Sequence, residues 1–302
     1  MTGPAPVVFD RTLVRQRIAR AVRGTFASFL VDRAATELSG RLSAVTRDFP
    51  DAIDIGTPTE SAAALLLAAG RARTVLRIAP ALAAPGRVPA VIGDAEILPV
   101  RPGGFDLAVS LLSLQGANDL PGALLQIRRS LRPDGLFLGC LFGGETLTEL
   151  RQSFAAAEEE VSGGASPRVA PFAEVRALGG LLQRAGFALP VADLDSVTVR
   201  YGSVFPLMAD LRAMGLTNAL AARSRTPLRR ATLLRMAAIY AQRFADRDGR
   251  VRATFDTVWL SGWAPHESQQ QPLRPGSARR RLADALGTRE LTPDDIGDDN
   301  HG

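Results

Sequence analysis

The stretch from Gly104 to Leu150, GFDLAVSLLSLQGANDLPGALLQIRRSLRPDGLFLGCLFGGETLTEL, constrains the fold most, because strand, helix and strand signals follow one another without a gap. Phe105 to Leu112 is a mostly apolar run of strand length, the pattern of a strand covered on both faces. Asn118-Asp119 supplies N-cap chemistry, and Pro121 is tolerated in a first helical turn. Leu120, Ala123, Leu124, Ile127 and Leu131 then recur at three- and four-residue spacings, which sets them on one helical face. Pro133-Asp134-Gly135 ends that helix, and Leu136 to Phe142 returns as an apolar strand. A parallel strand pair needs just such a crossover, so the run predicts half of a nucleotide-binding α/β domain.

The flanking sequence extends the same alternation. Arg11 to Arg47 predicts one or two helices with Phe26, Phe29, Leu30, Leu38 and Leu42 facing inward. Strands are expected at Ala52 to Ile55, Thr74 to Ile78 and Ala90 to Ile92, with a helix through Ser61 to Ala69. After the second half, Glu145 to Val161 and Val175 to Ala185 read as helices, and Phe187 to Tyr201 and Val251 to Trp259 as strands. Helical segments around Phe205 to Met214 and Leu228 to Phe244 lie between those last two strands. The expected fold class is α/β: a Rossmann-like, seven-stranded, mostly parallel sheet with N-terminal helices and a helical insert. The expected organisation is a helical segment over 1–48, the α/β domain over 49–273 with its insert around 203–248, and a disordered tail over 274–302.

Composition narrows the chemistry. The chain has 302 residues, 46% of them apolar, enough for a sizeable core. All 36 of its basic residues are arginine, which excludes Schiff-base lysine chemistry and the lysine of a phosphate-binding P-loop. Arginines are spread along the chain and aromatics are scarce, so the net charge of +5 reads as solvated surface, and no nucleic-acid partner is expected. The single cysteine, Cys140, sits in an apolar strand run and reads as a core residue; a reducing, cytoplasmic setting is expected. No apolar run reaches membrane-spanning length. The arginine-rich segment Phe9 to Leu30 reads first as a docking helix, with peripheral contact to an anionic membrane surface as the second reading.

Several motifs then match a known family. Phe9-Asp10-Arg11, Phe49 to Gly56, Phe105 to Leu114, Gly143-Gly144-Glu145-Thr146-Leu147, Ser166 to Phe172 and Gly262 to Gln269 resemble class I S-adenosylmethionine-dependent methyltransferases. More narrowly, they resemble the group of respiratory complex I assembly factor 5 and its bacterial relatives. The resemblance implies the class I methyltransferase fold, S-adenosylmethionine as cofactor, a complex I subunit as partner, and a site at or near the inner membrane. In that family the first strand ends in an acid and a glycine-rich loop, placing Asp54, Gly56, Thr57 and Thr59 at the cofactor. It also places Asp94 and Ala95 at the adenine and Ser110 beside them. His266, in Pro265-His266-Glu267-Ser268, is the one acid/base candidate, its alternative role being to close the loop after the last strand.

Two departures stand out. Thr57-Pro58-Thr59-Glu60-Ser61 stands where glycines are expected; proline removes an N–H donor and each Cβ takes space. Thr57 or Thr59 is available to cap the following helix. The second strand, Thr74 to Pro80, ends without the carboxylate that accepts ribose hydroxyls, and its Arg77 reads as surface charge. Two lost contacts, each worth roughly 1.5–3 kcal/mol, weaken cofactor binding by roughly two to four orders of magnitude. Three functions follow: a methyltransferase-family enzyme acting on a protein or small-molecule acceptor, a non-catalytic assembly factor that has lost the cofactor, and general nucleotide binding through arginines. The only histidines are His266 and His301 and there is one cysteine, which argues against a two-His metal site and excludes a zinc site built from several cysteines, so no metal is expected.

Overall fold

The computed structural model describes residues 7–81 and 86–269. Helices α1 (Arg11–Arg23) and α2 (Phe29–Ser43) precede β1 (Asp51–Ile55), α3 (Ser61–Ala68), β2 (Thr74–Ala79), β3 (Ala90–Ile92) and β4 (Phe105–Leu111). There follow α4 (Leu120–Ser130), β5 (Leu131–Phe142), α5 (Thr148–Ser162), α6 (Val175–Arg184), β6 (Ala188–Tyr201), α7 (Val204–Ala213), α8 (Arg230–Phe244) and β7 (Val251–Trp263). One seven-stranded sheet runs in the order β3-β2-β1-β4-β5-β7-β6. The first five strands are parallel, and β7 lies antiparallel between β5 and β6. The order reverses between β1 and β4, the switch point at which open α/β sheets hold ligands beyond their carboxyl ends.

Alternating side chains of the strands feed two cores. Leu107 and Val109 of β4 join Leu38 of α2, Leu66 of α3, Phe154 of α5 and Tyr240 of α8. Ile53, Ile55 and Ala108 join Leu124 and Ile127 of α4 with Leu178 and Leu182 of α6 on the other face. Cys140 is wholly buried in the first core, and burial pushes its thiol up to about 12. The described residues as far as His266 form one compact unit, to which α1 and α2 belong. The tail expected over 274–302 lies outside the described residues.

Local departures from the sequence expectation have local causes. Pro133-Asp134-Gly135 does not separate helix from strand: α4 already stops at Ser130, and β5 begins at Leu131. The turn chemistry appears instead as an irregularity inside β5, with Asp134 in the left-handed region at φ 61° and a register shift against β4. Phe29 is exposed because it opens α2, whereas Leu30, Leu38 and Leu42 face inward as expected. Helix α5 starts at Thr148, later than Glu145, because the GGETL segment is a turn anchored to β7. There Thr146 Oγ1 donates to the Asp256 carbonyl at 3.0 Å, and the Leu147 N–H donates to the Thr254 carbonyl at 2.8 Å.

Candidate functional site

The switch point collects Asp54 and Gly56 from β1 and its loop and Ser110 from β4, and β2 brings Arg77 directly alongside, in register with Asp54. Arg77 is not surface charge. It is 6% exposed and Asp54 1% exposed, so both groups are out of water. The guanidinium Nε donates to Asp54 Oδ2 at 3.3 Å, and Nη2 donates to the carbonyls of Thr57 at 2.9 Å and Thr59 at 2.7 Å. Nη1 stands 3.6 Å from Glu60 Oε1. Among the described residues Asp54 Oδ1 has no hydrogen-bond partner. Burial therefore outweighs the attraction of Arg77 and raises the Asp54 carboxyl to about 6.

The remaining loop groups are engaged with one another. Gly56 is left-handed, at φ 78°, and a Cβ there would stand 2.6 Å from Ser113 Oγ. The hydroxyls of Ser110 and Ser113 both donate to the Ile55 carbonyl, at 2.7 and 3.0 Å. Thr57 is buried, and its Oγ1 accepts from the Leu111 N–H at 3.0 Å, so it ties the loop to β4 rather than capping α3. Thr59 is not the cap either: Glu60 stands at the N-cap of α3 without a side-chain capping bond, and Thr59 Oγ1 accepts from the Ser61 N–H at 3.3 Å. Glu60 accepts from the Arg87 N–H at 3.2 Å and so fastens the loop before β3.

Asp94 and Ala95 follow β3 at the same sheet edge, and here Arg11 of α1 intervenes. Its Nη2 pairs with Asp94, its Nε lies 2.9 Å from Glu96 Oε2, and its Nη1 donates to the Gly116 carbonyl at 2.5 Å. The opposite Glu96 oxygen accepts from the N–H groups of Asn118 and Asp119 at 2.5 and 2.7 Å. The start of α1 is thereby strapped across the carboxyl ends of β3 and β4. His266 is not brought to this edge. Trp263 of the antiparallel β7 pairs with Leu136 near the start of β5, so the exposed His266 lies past the opposite end of the sheet.

Beside the loop, Pro58 and Ser113 form part of the wall of an apolar cavity of about 270 Å³. Its other walls come from α1 (Val14, Ile18), α5 (Leu150, Phe154) and α7 (Met208, Leu211). Among the described residues there is no group of three or more His, Cys, Asp or Glu side chains able to hold a metal, and no helix long and apolar enough to cross a membrane.

Comparison with known proteins agrees with this architecture. Residues 53–139 match the family model described as a methyltransferase domain. The chain is 38% identical to the arginine-hydroxylase NDUFAF5, mitochondrial, of Danio rerio, over 95% of its own length and 92% of the relative's. It is 34% identical to a malonyl-[acyl-carrier protein] O-methyltransferase of Halorhodospira halophila, covering 89% of this chain and 93% of that one. The chain belongs to the S-adenosylmethionine-dependent methyltransferase family. A crystal structure of a candidate methyltransferase from Bacillus halodurans shares the fold at TM-score 0.52 and 15% identity, covering 77% of this chain and 99% of its own.

Family membership makes S-adenosylmethionine the possible cofactor, and the residues at the switch point test the fit. They do not fit it in the arrangement described. A ribose diol needs a carboxylate at the end of β2, and this family member has the buried cation Arg77 there instead. The loop carbonyls of Thr57 and Thr59 are turned onto that cation, Asp54 is paired with it, and Asp94 is held by Arg11. Sequence reasoning missed the roles of both arginines. The signal was present: Arg11 stands in the family motif Phe9-Asp10-Arg11, and Arg77 is flanked in β2 by apolar Val75, Leu76, Ile78 and Ala79.

Proposed function

We infer that this protein serves respiratory complex I assembly as a client-binding factor built on a methyltransferase scaffold, with no chemistry at the first loop. The observation that carries this reading is Arg77, whose guanidinium takes up from within the chain the carboxylate of Asp54 and the carbonyl acceptors of Thr57 and Thr59 that would otherwise be open to a ligand. The link to complex I rests on the resemblance to the assembly factor 5 group, whose member in Danio rerio matches nearly the whole chain. On this reading Asp54, Gly56, Thr57, Thr59, Ser110, Asp94 and Ala95 keep the positions of a cofactor site and hold the sheet edge shut. His266 closes the loop after β7. The client is a complex I subunit, and binding takes place at the inner-membrane periphery.

Titration calorimetry with S-adenosylmethionine tests the cofactor half. No heat at millimolar ligand is expected, and a micromolar Kd would overturn it. Deleting the gene tests the assembly half: assembled complex I should fall and return on complementation, while unchanged complex levels would count decisively against it. Cofactor binding together with lost assembly would favour the second reading, an active methyltransferase-family enzyme acting on the same client.

A further inference from the structure

Arg17 of α1 stands beside the apolar cavity, next to lining residues Ile18 and Gly215, and one of its guanidinium nitrogens has no partner among the described residues. On α1, Val14, Arg17, Ile18 and Ala21 share one face by their three- and four-residue spacing. Val14 and Ile18 line the cavity, and Ala21 is buried. The backbone at Arg17 and Ile18 presses on Gly215, also part of the cavity wall, where an added Cβ would meet Ile18 Cα at 3.0 Å. Arg17 therefore stands at the seam between α1 and the segment after α7.

The other arginines near this cavity have partners. Arg168 lines it but is committed to Glu158, and Arg11 to Asp94 and Glu96. Arg223 is divided between Asp10 at 3.1 Å and the Leu220 carbonyl at 2.8 Å. Arg17 Nη1 is shielded from solvent and has no hydrogen-bond partner among the described residues. Burial, together with the positive charges of Arg223 and Arg20, holds its guanidinium below the ordinary arginine range, with only Asp10 pulling the other way. A shielded cation among like charges needs an anion to complete it.

We propose that this cavity binds an anionic amphiphile, its alkyl tail among Val14, Ile18, Phe154, Met208 and Leu211 and its head group on Arg17. Size sets the tail: an apolar cavity of about 150 Å³ takes a benzene ring, so about 270 Å³ accommodates a medium-length alkyl chain. The shared chemistry is a carboxylate or phosphate on such a chain, and its source is either a free fatty acid or an anionic phospholipid.

Calorimetric titration with decanoate, below its micelle concentration, and with decanol and butyrate tests the site. Decanoate should bind, with affinity falling about fourfold for each methylene removed. Arg17→Gln should weaken decanoate about tenfold while leaving decanol unchanged. Met208→Trp, which fills the cavity, should abolish both, and Arg17→Gln carries the test should that variant fail to fold. Sedimentation with phosphatidylglycerol vesicles separates the sources: loss of vesicle binding in Arg17→Gln without decanoate binding identifies a phospholipid, and the reverse a free acid. Equal binding of butyrate and decanoate, decanoate affinity unchanged by Arg17→Gln, or binding of neither decanoate nor vesicles would each overturn the proposal.

Discussion

Replacing Arg77 by methionine should expose how the switch point is held. The substitution keeps most of the apolar stem but strands Asp54 without a cation and removes a charged donor from two loop carbonyls. Breaking a buried ion pair from one side costs about 3–5 kcal/mol where the remaining group is ionised. Asp54 titrates at about 6 in the fold against an ordinary 3.8, so its charged form opposes folding. Because the folded value is the higher one, stability from this group is fully present below pH 4 and is lost as pH rises through 6. The loss amounts to about 3 kcal/mol. At pH 8 Arg77→Met should therefore cost about 3–5 kcal/mol. At pH 4.5 Asp54 is already protonated, and the cost should shrink to the lost carbonyl bonds, about 1–3 kcal/mol. Urea unfolding of wild type, Asp54→Asn, Arg77→Met and the double variant at pH 4.5, 6 and 8 measures this. Asp54→Asn should flatten the loss between pH 4.5 and 6 and couple with Arg77→Met at pH 8 by at least 1 kcal/mol, as contacting residues do. An Arg77→Met cost that is independent of pH, or additive variants, would refute the assignment of Arg77 as the partner of Asp54.

Other substitutions probe the surrounding contacts. Arg11→Ala should free α1 from the Asp94 and Glu96 carboxylates and cost about 2–3 kcal/mol; amide exchange should accelerate in α1 and around 94–97, and uniform protection would contradict the strap. Gly56→Ala should destabilise by about 1–3 kcal/mol from its left-handed backbone alone, with Ser113→Gly recovering the part due to the Oγ contact, as read by thermal melting. Cys140 should resist thiol reagents at pH 8 in the folded chain and react once urea unfolds it, given a thiol held near 12; rapid native labelling would count against its burial.

The strands were legible in the sequence because their signal is local. Runs such as Phe105 to Leu112 and the periodic face of α4 need no knowledge of partners. Pro133-Asp134-Gly135 was misread because turn residues look alike whether they end a helix or bend a strand, and only pairing with β4 and β7 decides. The candidate site was half legible. The degenerate loop and the missing acid on β2 were visible from residue types alone, whereas the burial of Arg77 depends on a register with β1 that no short window contains. Arg11 lies 83 residues before Asp94 in sequence, so its ion pair is a product of topology. His266 was attractive as one of only two histidines in the chain, but the reversed direction of β7 carries it to the far end of the sheet.

The two arginines make the closed edge a ratchet. Each aspartate there, Asp54 and Asp94, is paired with an arginine of the same chain, and the Asp54 pair is buried. A reversion at Arg77 alone leaves Asp54 stranded, and a reversion at Arg11 alone loosens α1 while Arg77 still fills the loop. A change that opens this edge to a ligand must therefore release both pairs, and releasing either one alone costs stability. The neighbouring cavity, walled by α1, α5 and α7, depends on neither aspartate.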